Sequence, residues 1–574
     1  MTAERLLKVY EQISEAPDAI ARLRRFVLDL AVRGKLVEQD AGDEPATRQL
    51  VRIAEAKSQL DLKERKTKKK AVDPSITELA FDLPLGWDEA RLSDLVRVVN
   101  GRAYKKSELL SEGTPVLRVG NLFTSDYWYY SDLELEDDKY CDEGDLIYAW
   151  SASFGPFIWS GPRAIFHYHI WKLPLFSEKY LSKNFVYLFL QQKTREIKDA
   201  GHGISMIHMT KEKMEQLAVP VPPIAEQHRI VAKVDELMAL CDRLEEARKT
   251  REETRDKLTA ASLARLTAPD TTSDDFPTHA NFALEALPAL TTRPDQIKTL
   301  RQSILNLAVR GKLVEQDPAD EPASELLEAI EMKRRELIKA GEIRKQKPMS
   351  ALESKEIPFY VPHAWTWCRL GSLVLSSDAG WSPRTENHAR QGDAWGVLKV
   401  SAVSWDHFDP EANKQVLKGT EPRLQAQVRI NDFLISRANT AELVARAALV
   451  IDEPHNLMMS DKIVRLRLAE NCDHRFVWLV NNNADYARKY YASNATGVSP
   501  SMKNVSRAVI LNLPIPLPPI AEQHRIVAKV DTLMALCDRL EAALATTDTT
   551  RTRLLEALLH EALEPSQNAL EAAE

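Results

Sequence analysis

The chain spells one long segment twice. PPIAEQHRIVAKVDELMALCDRLE begins at Pro222, and its copy begins at Pro518 with a single difference. A second segment, LAVRGKLVEQD, occurs identically from Leu30 and from Leu307. The order of these segments is the same in both halves, so the chain of 574 residues consists of two copies of one unit. Because a solenoid needs at least three stacked repeats, two copies favour a pseudo-twofold arrangement.

The duplicated segments are predicted to be helical. After the double proline, apolar residues step by four and three along a seam, which is typical of a coiled coil. Gly34 and Gly311 stand where helix C-caps belong, and Pro45 and Pro322 suit the first turn of a further helix. The seam residues are Ile230, Val234, Leu237, Cys241 and Leu244, copied as Ile526, Val530, Leu533, Cys537 and Leu540.

The blocks between the helical segments differ from each other and are rich in aromatic residues. Short alternating runs such as GDLIYAW, AIFHYHIWKL, DFLISRA and DKIVRLRL predict strands mixed with short helices. We therefore expect an α+β protein in which long antiparallel coiled-coil helices separate two domains. The expected divisions are a helical region (1–77), a first variable domain (78–221), a central helical region (222–355) with a Pro-, Thr- and Ala-rich linker (267–294), a second variable domain (356–517) and a C-terminal helical region (518–574).

Composition narrows the class of protein. No run of 18 or more apolar residues occurs, so no membrane span is expected, and the N-terminus lacks the apolar block of a signal peptide. The five cysteines include no CxxC pair, which disfavours a disulfide framework or a zinc knuckle and favours the cytoplasm. The net charge of -7 argues mildly against a nucleic-acid partner.

Identical helices that carry different domains suggest that two different binding domains are held at a fixed distance from each other. Duplicated helix surfaces are suited to binding two copies of one protein, and divergent domains to binding different targets. A helix from about Ile224 to Leu263 is on the order of 60 Å long.

The motif order resembles one known family. A WxxxxL element is followed by a GDLI or DFLI strand, a GIS or GVS turn and then PPIAEQHRIVAKVD, with AVRGKLVEQD upstream. This order resembles the specificity subunit of type I restriction-modification systems over essentially the whole chain. The resemblance implies two target-recognition domains that each read half of a bipartite, asymmetric site in double-stranded DNA.

The resemblance also implies partner subunits, and it assigns the catalytic reactions to those subunits. Two modification subunits are expected to dock on the helical frame and methylate adenine with S-adenosylmethionine, and restriction subunits to add translocation and cleavage driven by ATP with Mg2+. No cofactor or metal is expected on this chain. The sequence contains no adenine-methylation NPPY motif, no GxxxxGK[ST] loop and no evident nuclease constellation, which agrees with a non-catalytic reader.

Candidate DNA contacts are polar or basic residues in predicted turns of the two domains. Arg and Lys pair best with guanine, Asn with adenine, and Ser with bases or phosphate. The candidates are Arg102, Tyr104, Lys105, Lys106, Arg118, Asn121, Ser151, Ser153, His202 and Ser205 in the first domain, and Arg384, Asn387, Lys399, Ser401, Arg437, Asn439, Thr440, Ser499, Ser501 and Lys503 in the second.

Other conspicuous residues favour structural roles. Glu226 and Gln227 are expected to help cap the helix start, and His228 to lie at the helix start or in a subunit contact. His167 and His169 alternate within a predicted strand, so they face one side, and no third metal ligand is evident. We expect them in core or surface hydrogen bonds.

Two alternatives stay open on the sequence. One is a coiled-coil scaffold with two protein-binding domains, which the acidic net charge slightly favours. The other is a reader in a methylation-linked system that lacks a restriction subunit.

Overall fold

A computed structural model describes residues 15–63, 79, 81–151, 154–200, 209–267, 275–404, 407–497 and 502–563. The chain divides into two compact units, Met1–Arg251 with Asp548–Glu574, and Glu252–Thr547. Each unit combines helices with small sheets, as the α+β prediction requires.

The first unit contains two framework helices, a variable domain and the start of a long helix. Its helices are Ala19–Val32 (α1), Ala46–Lys63 (α2), Leu92–Leu95 (α3), Val119–Phe123 (α4), Lys183–Ala200 (α5), Lys211–Glu215 (α6) and Ile224–Thr267 (α7), of which α7 continues into the second unit. Its strands are Asp88–Arg91 (β1), Val99–Asn100 (β2), Thr114–Leu117 (β3), Tyr129–Ser131 (β4), Tyr140–Cys141 (β5), Leu146–Ala149 (β6), Gly155–Ile158 (β7), Ala164–Phe166 (β8), Ile170–Lys172 (β9) and Ala218–Val221 (β10).

The second unit follows the same plan. Its helices are Asp275–Leu290 (α8), Pro294–Val309 (α9), Ala323–Lys339 (α10), Leu370–Leu373 (α11), His474–Asn483 (α12), Asp485–Asn494 (α13), Arg507–Leu511 (α14) and Ile520–Leu563 (α15), of which α15 ends in the first unit. Its strands are Thr366–Arg369 (β11), Val374–Ala379 (β12), Gly396–Leu398 (β13), Asn413–Gln415 (β14), Phe433–Ser436 (β15), Ala438–Asn439 (β16), Ala447–Leu449 (β17), Leu457–Met458 (β18), Ile463–Leu468 (β19), Lys503–Asn504 (β20) and Pro514–Leu517 (β21).

The two variable domains share one sheet topology although their sequences differ. The order β2-β9-β6-β7 in the first is matched by β12-β19-β15-β17 in the second. A second sheet in each is built on a parallel pair, β3 with β8 and β13 with β18. The β1–β10 and β11–β21 antiparallel pairs bring together the two ends of each domain. The internal repeat therefore extends through the divergent blocks.

Helices α1 and α9 end where the glycines predict that they end. Gly34 (φ +66°) and Gly311 (φ +67°) follow α1 and α9 in the left-handed conformation. A Cβ on Gly34 would lie 2.4 Å from Pro84 Cγ, and one on Gly311 would lie 2.5 Å from Pro362 Cγ. Each glycine is thus required both by its backbone angle and by a proline that packs against it. Pro322 is the N-cap of α10, one position before the expected first turn.

The helical seams are buried within their own units. Ile230 and Val234 of α7 pack with Val27 and Leu28 of α1 and with Phe185 of α5 in one apolar cluster. In the second unit, Ile526 and Val530 of α15 join a cluster with Ile297 and Ile304 of α9. The first half of the α7 seam therefore packs on α1, and the first half of the α15 seam packs on α9.

The duplicated EQHR motif fastens the long helix to the rest of its unit. The buried Glu226 carboxylate accepts from Trp87 Nε1 (3.0 Å) and Gln39 Nε2 (3.0 Å). Gln227 Oε1 accepts from the backbone N–H of Ser182 (2.7 Å), directly before α5. Arg229 forms an ion pair with Asp43 (2.7 Å).

The second copy of the motif repeats every one of these contacts. Glu522 accepts from Trp365 Nε1 (2.8 Å) and Gln316 Nε2 (2.6 Å). Gln523 Oε1 accepts from the N–H of Asp473 (2.8 Å), before α12, and Arg525 pairs with Asp320 in the same way as in the first unit. Glu and Gln of the motif thus join separate segments, where the sequence predicted only helix capping.

The linker stretch has more structure than its composition indicated, and one prediction about secondary structure is wrong. The stretch expected to be a linker contains helix α8, because ANFALEAL is rich in residues that favour helix over loop. HYH, expected inside a strand, forms the turn between β8 and β9, because backbone groups of other loops hydrogen-bond to it.

All five cysteines are buried thiols, which agrees with a packing role. Within the described ranges, no helix is long and apolar enough to cross a bilayer.

Candidate nucleic-acid interface

Three segments of the first variable domain converge on the 167–169 turn. The turn donates backbone N–H groups to Leu117 O (2.9 Å) and Arg102 O (3.0 Å), and its last carbonyl accepts from Trp150 N–H (3.0 Å). Gly101 lies so close that a Cβ there would be 2.3 Å from the carbonyl oxygen of His167. The backbone of this turn is therefore held before any ligand arrives.

The side chains at this turn form an aromatic cluster. His169 lies 3.9 Å from Tyr168 and 4.8 Å from His167 between ring centroids, and Trp150 meets His169 edge-on at 5.0 Å. Trp150 Nε1 donates to Tyr168 O (2.8 Å), which fixes the indole. Tyr168 is 40% exposed. Partly exposed aromatic rings are suited to apolar contact with base edges, such as the methyl group of thymine.

The His167 imidazole is neutral near pH 7, because its pKa lies well below that value. Burial, and then the neighbouring His169 and Arg118, lower the pKa of His167 to about 4. Burial raises the pKa of the Tyr104 phenol, which donates to Phe166 O (3.4 Å). His167 and Tyr104 therefore present uncharged hydrogen-bonding groups.

The predicted contacts of the first domain fall into two groups. Arg102, Tyr104, Arg118 and Ser151 border the turn: the Arg102 N–H bonds to Phe166 O (3.1 Å), and Arg118 and Ser151 follow β3 and Trp150. Arg102 pairs with Glu108 (2.8 Å), so its charge is partly neutralised.

The other candidates of this domain lie on the flanking loops. Lys105 and Lys106 are exposed at a short 3-10 helix, Lys106–Glu108. Asn121 has a local role, because its Nδ2 donates to Tyr127 O (2.8 Å) and its Oδ1 accepts from Arg118 N–H (3.1 Å).

The second domain builds the same backbone frame around the 460–462 turn. Trp381 N–H donates to Met459 O (2.8 Å), and Arg437 N–H donates to Lys462 O (2.7 Å). These bonds match those of Arg102 and Trp150 in the first domain. Gly380 repeats the close approach, with a Cβ position 2.2 Å from Ser460 O.

The side chains on this shared frame are different. Asp461 accepts from Ser382 Oγ (2.6 Å) and lies 3.3 Å from the Lys462 ammonium. The Ser382 hydrogen bond, followed by Lys462, lowers the pKa of the Asp461 carboxyl against the effect of partial burial. The Arg423 guanidinium lies 4.3 Å from the Trp381 ring. Charged groups thus replace the aromatic cluster.

Four predicted residues of the second domain come together beside the turn. β16 pairs with β20, with Asn439 opposite Lys503. Arg437 Nε donates to Val505 O (3.5 Å), next to β20. Asn439 Oδ1 accepts from Thr440 N–H (2.8 Å), and its Nδ2 donates to Ser404 Oγ (2.8 Å).

The remaining candidates are more dispersed. Lys399 is exposed directly after β13, at the position equivalent to Arg118 after β3, and Ser401 is exposed two residues later. Arg384 and Asn387 are exposed in the loop between β12 and β13, where Ser382 rather than either of them contacts the turn. Ser153, His202, Ser205, Ser499 and Ser501 lie outside the described residues.

Sequence reasoning missed the turn itself. Trp150, His167, Tyr168, His169 and Asp461 were not among the predicted contacts. Alignment of the two strands on Asp145 and Asp432 contains one signal, since it sets Trp150 opposite Arg437. Within the described part of the chain, no group of three or more His, Cys, Asp or Glu side chains is arranged to hold a metal ion.

Known proteins match this chain along most of its length. A family profile described as "Type I restriction modification DNA specificity domain" matches residues 84–253 and 362–546. The chain is 32% identical to the Type I restriction enzyme EcoEI specificity subunit of Escherichia coli, over 95% of this chain and 94% of that protein. It is 29% identical to the EcoAI specificity subunit of the same species, with the same coverage. The crystal structure of the HsdS subunit from Thermoanaerobacter tengcongensis is similar with 18% identity and a TM-score of 0.43, covering 85% of this chain and 99% of that one.

Proposed function

This chain belongs to the family of type I restriction-modification DNA specificity subunits, and from that premise we propose that it reads two different half-sites of one bipartite DNA sequence. Membership makes it the DNA-specificity subunit of its complex and not a catalytic one. The proposed readers are residues 78–221 and 356–517.

One observation carries the two-reader proposal. The domains share their sheet order and the backbone bonds around one turn, yet the side chains on that turn are aromatic in the first domain and charged in the second. Rigid scaffolds that carry variable loops are the usual way in which proteins vary recognition. Different side chains on equal frames support an asymmetric site, since identical half-sites would call for identical contacts.

The proposal assigns the chemistry to partner subunits. Modification subunits would methylate adenine with S-adenosylmethionine, and restriction subunits would use ATP and Mg2+. The duplicated helix surface supports two modification subunits for each chain. Apart from Glu236 and its counterpart Thr532, the exposed residues of the duplicated segment are identical on both long helices: His228, Leu240 and Arg243 on α7 match His524, Leu536 and Arg539 on α15.

The number of docked subunits is testable at the exposed leucines, which are 42% (Leu240) and 44% (Leu536) exposed. Leu240→Asp or Leu536→Asp is expected to remove one modification subunit, and the double variant both, as counted by native mass spectrometry. Val51→Glu is the control, because Val51 is exposed on α2 and its counterpart in the second unit is already Glu328. Two subunits bound to the double variant would exclude this docking surface.

The function itself is tested by mapping methyladenine. The chain is co-expressed with its modification subunit, and modified positions are mapped across a sequence-diverse DNA library. We expect two short half-sites separated by a fixed gap. Methylation without a motif, or a stable complex that methylates nothing, would contradict the proposal and favour a scaffold.

A further inference from the structure

The same backbone positions hold different chemistry in the two variable domains. The residue after the central strand is Trp150 in one and Arg437 in the other, and each donates its N–H to the last carbonyl of its turn. The tips of the turns are Tyr168 and Asp461. A fixed backbone with divergent side chains is the expected form of a specificity determinant, since only the exchanged atoms differ between targets.

We infer that the 167–169 turn with Trp150, and the 460–462 turn with Arg437, decide which base pairs are accepted in the two half-sites. This inference rests on the proposed function and deepens it, because it assigns base readout to named residues. None of these turn residues was expected to contact DNA from the sequence.

The second turn is suited to a G·C pair. An ionised Asp461 is repelled by phosphate, so its exposed carboxylate suits a base edge better than the DNA backbone. Carboxylates accept from the exocyclic amine of cytosine, and arginine donates to O6 and N7 of guanine. In the described part of the chain, the terminal nitrogens of Arg437 donate to no protein group. Asp461 is oriented by Ser382, so the acceptor is fixed in advance.

The first turn is suited to readout by neutral groups. Its rings are packed against one another, and Tyr168 projects from them. An aromatic ring can make an apolar contact with the thymine methyl group in the major groove, and it does not pair with phosphate. The two half-sites should therefore depend on different contacts, and a change at one turn should leave the other half-site unaltered.

The test uses the full complex with its modification subunits and the same methyladenine mapping. Asp461→Asn is expected to relax one G·C position of one half-site, with discrimination reduced about ten- to a hundredfold. Tyr168→Ala is expected to relax a position of the other half-site. Each variant is the matched control for the other, because a general loss of folding or assembly would affect both half-sites.

The outcomes separate this inference from the proposed function. If the wild-type complex yields no split motif, the proposed function fails. If the wild type yields a split motif and both variants reproduce it with unchanged discrimination, only the inference fails. A variant that weakens all sites equally also overturns the inference, since that is the effect of a phosphate contact. Tyr168→Phe, which keeps the ring, must retain the wild-type motif if the ring makes the contact, even should Tyr168→Ala fail to assemble.

Discussion

Gly311 shows how one residue joins two segments of a repeat. It follows α9 at a φ of +67°, and a Cβ there would lie 2.5 Å from Pro362 Cγ. Gly341 follows α10 at a similar φ of +76° but has no atom within 4 Å of the Cβ position. A side chain at either site would meet backbone strain, but only a side chain at Gly311 would also meet steric overlap.

We predict that Gly311→Ala destabilises the protein more than Gly341→Ala. The left-handed backbone costs about 1 kcal/mol at either site, and overlap with Pro362 adds roughly 1–3 kcal/mol at Gly311 alone. Urea unfolding of the wild type and both variants measures the difference. Equal midpoints for the two variants would mean that the proline moves aside without cost.

Glu522 is a buried carboxyl whose titration should be visible in stability. Burial raises its pKa, against the opposing effect of the donors Trp365 and Gln316. A carboxyl whose pKa is raised in the folded state stabilises that state below the unfolded pKa, and this contribution is lost as the pH rises through the folded pKa.

We predict that Glu522→Gln changes the pH dependence of stability and not only its level. As the pH falls through the folded pKa of Glu522, the wild type should gain stability relative to the variant, because only the wild type takes up this proton. Melting temperatures of both proteins across the acid range measure the effect. Parallel curves would show that the carboxyl titrates alike in the folded and unfolded chains.

At the scale of elements, ion pairs tie each long helix to a loop that lies far from it in sequence. Arg525 of α15 contacts Asp320, whose side chain is 8% exposed. Lys333 and Glu336, one turn apart on α10, are 61% and 69% exposed. Screening by water is weaker at the first pair, so its coupling energy should be larger.

A double-mutant cycle on Arg525→Ala and Asp320→Ala is expected to give a coupling of about 1 kcal/mol. The same cycle on Lys333 and Glu336 is the control and should give only about 0.3 kcal/mol. Both are measured by chemical unfolding. A coupling at Arg525 no larger than at the control would mean that the fastening depends on Glu522 and Gln523 instead.

The ends of the duplicated helices could be predicted from the sequence. Elements whose conformation depends on contacts with distant residues could not. The ends of α1 and α9 follow from Gly34 and Gly311, because the requirement for a left-handed residue is local. The HYH turn has the same polar and apolar alternation as a strand, and what makes it a turn is bonding to Arg102, Leu117 and Trp150, far away in sequence. The turn residues that we propose as base contacts were absent from the sequence prediction for the same reason.

At the scale of the whole molecule, the fold separates the duplicated segments from the divergent ones, and the proposed function gives assembly to the first and recognition to the second. The duplicated segments form the helices and their fastenings, and the divergent segments form domains inserted through paired strands. In register, Arg91 lies opposite Ala218 and Arg369 lies opposite Pro514. Each variable domain therefore leaves and returns to the frame at one point.

This closure makes each reader removable. We predict that replacing residues 370–513 by Asn-Gly, which closes a two-residue hairpin, abolishes recognition of one half-site. The matched deletion replaces residues 92–217 in the same way and should abolish recognition of the other. Methyladenine mapping of both complexes gives the remaining specificity, and co-purification of the modification subunit shows whether the frame survives. A deletion that still specifies both half-sites would contradict the two-reader arrangement, because no single remaining domain has both sets of side chains.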